Sequence, residues 1–440
     1  MRVPAGSIRT LSFFFALAAL GLAGCESRPP AREPDPDSPA IQLRRITASD
    51  AQDEDQLGWS VDLDGDDLIA GTNIISSHDY RSGKAFLHAR NAGGTDAWGE
   101  VMKLEAVNGE YFDMYGYSVA VDGDIAVVGA PWEDQAEEDA GSAYVYARNQ
   151  GGAGSWGLLK KLTSSDGLSG EGFGHAVAID GDVIIVGAAH SSSVAWAGGA
   201  AYVFVRDRGG ADNWGEAARI VPGDLPEAAY FGFSVSLHGD LAVIGSLYGN
   251  GPVNRCGAAY VFARGLGGPE AWGEVKKLTA FDAEDQDQFG CSVCVSGDFI
   301  IVGADWKHES GVERGAAYIF GRDQGGPENW GLIKKLSPGD AAYGDAFGIS
   351  VSISGTHALV GAPGADGSVT DQGAVYVFSR DLGGADAWGE AGKVMPSDVN
   401  ESSGFGNSTA LDGDLFAAGA PLKRGGGNHR GAVYIYRLRS

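Results

Sequence analysis

The sequence is poor in the residues that do chemistry. Of its 440 residues only 4 are Cys, 4 are Met and 8 are His. The His are scattered without a shared spacing. There is no H-E-x-x-H, no G-x-S-x-G elbow and no phosphate loop ending in Lys, so the signatures of zinc proteases, serine hydrolases and nucleotide-binding enzymes are missing. Basic residues are scarce too: 32 Lys and Arg stand against 58 Asp and Glu, for a net charge of −26. A surface of that sign repels phosphate backbones and anionic headgroups, which argues against a nucleic-acid partner. Only 16 residues are Pro while 44% are apolar, which excludes collagen and simple disorder.

Glycine is what the chain has in excess. It supplies 70 residues, more than twice the ordinary share of about 7%. Set among alternating β-branched residues, so much Gly points to many short strands joined by tight turns.

Residues 1–25 form an address. Arg2 and Arg9 precede the apolar run Leu11–Leu22, which is too short to span a bilayer comfortably. The run closes on Leu22-Ala23-Gly24-Cys25, which resembles a bacterial lipobox. The resemblance implies a lipoprotein signal peptide, cleaved so that a diacylated Cys25 becomes the first residue. Several acyl chains on one residue hold a protein at a membrane surface without a transmembrane helix. Residues 26–40 carry Pro29, Pro30, Pro34, Pro36 and Pro39 and read as an extended linker. Glu26 stands where Asp would favour inner-membrane retention in a Gram-negative cell, so the expected location is extracytoplasmic, at the outer membrane or cell surface.

From residue 41 onward the chain repeats with a period of 58. Gly58, Gly116, Gly174, Gly232, Gly290, Gly348 and Gly406 mark one register; Gly71, Gly129, Gly187, Gly245, Gly303, Gly361 and Gly419 mark a second; Trp98, Trp156, Trp214, Trp272, Trp330 and Trp388 mark a third. Each unit reads as four strands. In the second these are Tyr117–Val121, Asp124–Val128 after an Asp-Gly turn, Ser142–Arg148, and Leu159–Thr163. First strands carry Val61, Val119 and their equivalents on one face and Ser60, Ser118 and theirs on the other. A large apolar face against a small one suits radially stacked sheets. The third-strand pattern Gly431–Tyr436 has no fourth strand after it, whereas Leu43–Ile46 matches the fourth-strand register. The expected fold is all-β: a seven-bladed propeller of four-stranded blades over 41–440, closed by the N-terminal strand completing the last blade.

Phe-Gly at the head of the unit and Gly-Ala-Pro at 129–131, 361–363 and 419–421 resemble FG-GAP repeats, the units of the integrin alpha-subunit propeller. In that family the first hairpin often holds calcium. Here it is cut down to Asp64-Gly65-Asp66 and its equivalents, and a two-residue turn cannot supply the six to eight oxygens Ca²⁺ takes. Calcium is therefore not expected at that hairpin, while Ca²⁺ elsewhere on the chain stays open. Weak divalent candidates remain in the acidic loops 50–56 and 282–288, namely Asp50, Asp55, Asp282, Asp285 and Asp287. Asp50, Asn108, Asp166, Asp224, Asp282, Asp340 and Asp398 form an Asx series seven residues ahead of Phe-Gly, and it reads chiefly as turn caps.

Function is expected on the loops whose residues vary, those before Phe-Gly and after Gly-Ala-Pro, which a four-strand meander places on one face. One register there reads Trp132, His190, Tyr248 and Trp306, with Ile74, Gly364 and Leu422 in the other copies. The four rings suit either a stacking patch for sugar or a protein edge, or anchors tucked under their own loops. Cys256, Cys291 and Cys294 leave open whether Cys256 pairs with one of the other two or all three stay as thiols; on a strand, the last two would face opposite sides. The sequence reading is a lipid-anchored envelope protein that binds a protein or glycan through the variable-loop face and is not an enzyme. The alternatives are a polysaccharide-acting enzyme with carboxylates at the channel mouth, and a purely structural surface protein.

Overall fold

A computed structural model describes residues 38–73, 82–135, 137–268, 270–309, 311–396, 398, 402–424 and 427–439. Cys25, most of the Pro-rich linker and Ile74 lie outside the described residues. Within them all regular structure is β, in seven four-stranded antiparallel sheets. Six are continuous, over 60–104, 118–162, 173–220, 231–278, 293–336 and 350–394, and are numbered blades 1 to 6 in that order. The second blade's strands are Ser118–Asp122, Ile125–Ala130, Ser142–Arg148 and Trp156–Leu162, within a few residues of the expected bounds. Blade 5 also bears a small ribbon, His308–Glu309 with Val312–Glu313.

Blade 7 is composite. Thr409–Asp412, Leu415–Ala420 and Ala432–Leu438 are joined by Ala40–Ile46, which pairs from Ala40↔Leu438 to Ile46↔Val433. The strand thus begins one residue inside the expected linker. It even carries the family of bulges seen elsewhere. Every fourth strand skips one residue against the third, as at Val101 between Glu100 and Met102, and the clasp strand skips Leu43. Neighbouring first strands touch all the way round, blade 7 against blade 1 included, so the ring closes.

The two faces of each first strand do different work. Val119 packs back on Ile69 and Leu87 of blade 1, and Val177 on Val127 and Val145 of blade 2. Burying each such side chain contributes roughly 1.5–3 kcal/mol. The Ser row looks forward and is more than a small face. Ser60, Ser118, Ser234, Ser350 and Ser408 donate to the carbonyls of Gly116, Gly174, Gly290, Gly406 and Gly58, at 2.8–2.9 Å. Each bond adds about 1 kcal/mol and fixes the register between blades.

Both Gly series meet at this joint. The Phe-Gly residue adopts a left-handed conformation, φ +88° at Gly58 and +104° at Gly348, open chiefly to Gly. Its carbonyl lies against the second-series Gly of the preceding blade. A Cβ on Gly71 would fall 2.0 Å from the Gly116 oxygen, and one on Gly419 would fall 1.9 Å from that of Gly58. This backbone-to-backbone contact, which no side chain can enter, recurs every 58 residues.

Candidate ligand-binding face

The loops before Phe-Gly and after Gly-Ala-Pro do share one face, where they are laced together by their backbones. Within a blade, Trp132 N donates to Asp113 O at 3.4 Å and His190 N to Glu171 O at 3.1 Å; between blades, Gly170 N reaches Glu138 O at 2.9 Å and Ala228 N reaches Trp196 O at 2.7 Å. The seam between the chain ends has the same bond, Glu54 N to Asn428 O at 2.8 Å.

The Asx series turns out to anchor this face from below. Asp282 accepts from Tyr318 Oη and from Lys335 Nζ, both at 2.8 Å. Asp224 takes Tyr260 and Lys277, Asp340 takes Tyr376 and Lys393, Asp166 takes Tyr202 and Arg219. In blade 7 Asp398 takes Tyr434 together with Arg45 of the clasp strand. Burial pushes these carboxyls up, but the Lys and Tyr donors outweigh it and hold Asp224, Asp282 and Asp340 below the ordinary value. Exceptions confirm the unit. Blade 1 has Phe86 in place of Tyr, and Asp50 is held instead by Lys84 at 2.8 Å and Lys103 at 3.1 Å. Blade 2 has Asn108, and Glu133 receives both Tyr144 and Lys161, each at 2.7 Å. The turn-cap reading belongs to another register. Asp55, Asp113, Asp287 and Asp345 accept from the amides of Gln52, Glu110, Glu284 and Ala342 at 2.6–2.8 Å.

The divalent candidates are thus placed. Asp50 and Asp282 sit in ion pairs; Asp55 and Asp287 are buried, with Lys307 Nζ 3.1 Å from Asp287; Asp285 is exposed at its loop tip, 3.3 Å from Gln286 Nε2. Among the described residues no group of three or more His, Cys, Asp or Glu is arranged to hold a metal ion.

Three of the four rings singled out in the sequence belong to one aromatic belt. Trp132 lies 5.0 Å from His190, His190 5.1 Å from Tyr230, and Tyr230 5.8 Å from Tyr248. A second row, one residue past Phe-Gly, joins it around the channel: Trp59, Tyr117, His175 and Phe233 follow at 5.7, 5.0 and 4.7 Å, with His175 6.0 Å from His190. Trp306 is half-buried. All four named rings are only partly exposed. Burial, helped by the neighbouring His190, pushes His175 down to about 3, and burial alone takes His190 to about 4, so the belt is uncharged at neutral pH. Burial pushes Glu171 and Asp305 up to about 7 and Asp113 up to about 6. The Asp305 Oδ1 atom is buried without a hydrogen-bond partner.

The most exposed rings on this face were not singled out by any register. Phe112 (45% exposed), Trp196 (64%), Phe281 (66%) and Tyr343 (77%) sit on loops of blades 2, 3, 5 and 6, and Val107 and Val194 are exposed on the loops of blades 2 and 3. They occupy different positions in different copies, so a search by period passes over them. A signal was available: an apolar residue within a polar, acidic loop, as in Glu110-Tyr111-Phe112-Asp113.

The opposite face is made of the Asp-Gly turns and the Gly-Gly loops. The turn carboxylates are spent within the ring: Asp64, Asp122, Asp180 and Asp412 accept from Gly123, Gly181, Gly239 and Gly65 N at 2.5–2.9 Å. Four of the turn acids thus bridge to the next blade, and a hairpin this short and so engaged does not fit calcium. The cysteine question is also answered. Cys256, Cys291 and Cys294 are all free thiols. The expected opposite orientation of Cys291 and Cys294 does not hold, since both reach blade 6, at Gly348 O (3.3 Å) and Ile353 O (3.9 Å). Cys291 lies in the bend ahead of the strand, which starts at Val293, so strand alternation does not apply to it.

The FG-GAP repeat family model matches residues 41–88, 98–146, 156–204, 214–262, 272–320, 330–378 and 388–436, seven matches that each run from the fourth strand of one blade through the third strand of the next. The chain belongs to the FG-GAP repeat family. Its first and last matches meet in blade 7, where 41–46 pairs with 433–437. Among solved structures this FG-GAP ring is similar to that of Sqt1 from Chaetomium thermophilum, at TM-score 0.50 and 15% identity over 84% of this chain and 81% of that one. That likeness is one of fold. A search of curated proteins finds no match to the sequence.

Proposed function

We propose that this FG-GAP propeller is a lipid-anchored protein of the bacterial envelope that binds a macromolecule through its variable-loop face and does so without catalysis. The observation that carries the reading is the asymmetry of the faces. Large exposed rings collect on the variable loops, whereas several carboxylates of the opposite face are tied into blade-to-blade bonds. Exposed apolar groups of this size on a rigid frame mark an interaction site. The lipobox ending at Cys25 supports the envelope location, and the absence of shared His or nucleophile spacing supports binding over turnover.

Two experiments test it. The full chain and its Cys25→Ser variant are expressed in a bacterial host and fractionated; the wild type is expected with the membranes and the variant in the soluble extracytoplasmic fraction. The detergent-purified chain is then probed against glycan arrays and envelope extracts, beside a Trp196→Ala, Phe281→Ala variant and a Leu266→Ala, Leu382→Ala variant of the opposite face. Loss of a ligand by the first variant and retention by the second is expected. Equal retention by both would end the reading.

A further inference from the structure

Resting on that reading of the loop face, we infer that its partner is a polypeptide presenting clustered Arg and Lys, gripped by the exposed rings and the carboxylates between them. Phe112, Trp196, Phe281 and Tyr343 stand on separate loops at blades 2, 3, 5 and 6, whereas Trp132, His190, Tyr230 and Tyr248 are half-buried and packed on one another. A sugar chain needs neighbouring platforms. An irregular, multi-point edge of a protein matches rings spread around a rim.

Charge then selects the kind of protein. Phe112 follows exposed Glu110 and is itself exposed; Glu137 and Glu138 are exposed on the next loop of the same blade; Phe281 is followed by exposed Glu284 and Asp285. The loop between Ala130 and Gly141 holds five carboxylates and no base, and the whole chain is at −26. Several of these carboxylates have partners within the chain: Glu284 pairs with Lys307 at 3.5 Å, and Glu133 takes Tyr144 and Lys161. Glu110, Glu137 and Glu138 remain exposed, and an apolar contact flanked by exposed carboxylates disfavours acidic surfaces and favours a cationic one. Arg fits best, because its guanidinium stacks on a ring while its edge donates to a carboxylate. The molecule uses that geometry on itself. Arg148 lies over the Trp156 ring at 4.6 Å while its Nε donates to Asp124 at 2.7 Å, and Arg255 covers Tyr248 at 4.8 Å. The exposed rings offer the same half of this arrangement, without its cation.

The test uses the detergent-purified full chain and four labelled probes: deca-arginine, deca-lysine, a chitosan oligomer as a non-peptide polycation, and an uncharged cello-oligosaccharide. Binding is followed by fluorescence anisotropy over a salt series. Deca-arginine is expected to bind tighter than deca-lysine and chitosan, with affinity falling steeply with salt. A Phe112→Ala, Trp196→Ala variant should weaken it about tenfold with an unchanged melting curve, and Glu137→Lys, Glu138→Lys should flatten the salt dependence. The Leu266→Ala, Leu382→Ala control should bind as the wild type does. Deca-arginine binding that ignores the ring substitutions, or chitosan binding more tightly than both peptides, overturns the inference. If only the cello-oligosaccharide binds, and the ring variant loses it, the loop-face reading stands and the cationic partner falls. If no probe responds to substitutions on either face, both fall.

Discussion

The loop face and the turn face of the ring are built from the same seven units and are used differently. On the turn face, side chains answer to the next blade: Asp122 accepts from Gly181, and Asp180 from Gly239. Connections there keep their length and most of their residues, because each is a part of the frame. On the loop face the frame is handed down a layer, to the Asp-Tyr-Lys anchors under the loops, and the loop tips are released from structural duty. A repeat protein can vary one face freely only if something beneath that face keeps the register. The anchors are that layer.

The comparison breaks most violently at the joint common to both faces. Gly361→Val would drive a Cβ to 1.9 Å from the Gly406 carbonyl, and a loss above about 4 kcal/mol is expected, in the range reserved for buried steric conflict; denaturant unfolding measures it. Next comes the anchor layer. Asp282→Ala strands the Tyr318 hydroxyl and leaves Lys335 with Glu309 alone and should cost about 2 kcal/mol, whereas Asp122→Ala, removing one exposed turn bond, should cost about 1 kcal/mol or less. Equal losses would mean that the two faces are not built differently.

A gentler probe is pH. Glu171 has its carboxyl pushed up from 4.5 to about 7 by burial, so its contribution to stability is present below pH 4.5 and is lost as pH rises towards 7. Glu171→Gln should therefore raise the melting temperature at pH 8 and leave it unchanged at pH 4. His175 runs the other way: its ring, pushed down to about 3, favours the fold above pH 6.5 and less as the pH falls. His175→Phe, the residue its neighbour blade carries as Phe233, should flatten the acid side of the stability profile. The smallest effect belongs to the tips. Trp196→Ala and Phe281→Ala should stay within about 0.5 kcal/mol of the wild type, which would separate binding from folding on this face.

Much of the frame is legible in the sequence. Three registers at one period forced identical sheets, and Leu43–Ile46 in the fourth-strand pattern foretold its union with Gly431–Tyr436. What periodicity could not reveal was chemistry carried by pairs. Asp224 looks like a turn cap until Tyr260 and Lys277, 36 and 53 residues downstream, are seen to converge on it. The substitution of Phe86 together with Lys84 in the first unit was the clue, because one position changed in step with another. The exposed rings escaped for the opposite reason. Phe112 and Phe281 stand in registers where no other copy carries a ring, so repetition does not mark them.

The composite blade has a consequence for synthesis. Gln42 and Tyr436 meet across 394 positions, so the stretch that leaves the ribosome first among the folded residues is the last to find its neighbour. Until then the nascent polypeptide carries a bare edge at Ala40–Ile46, where Arg44 and Arg45 discourage premature pairing with other chains, and a half-made ring cannot pass for a finished one.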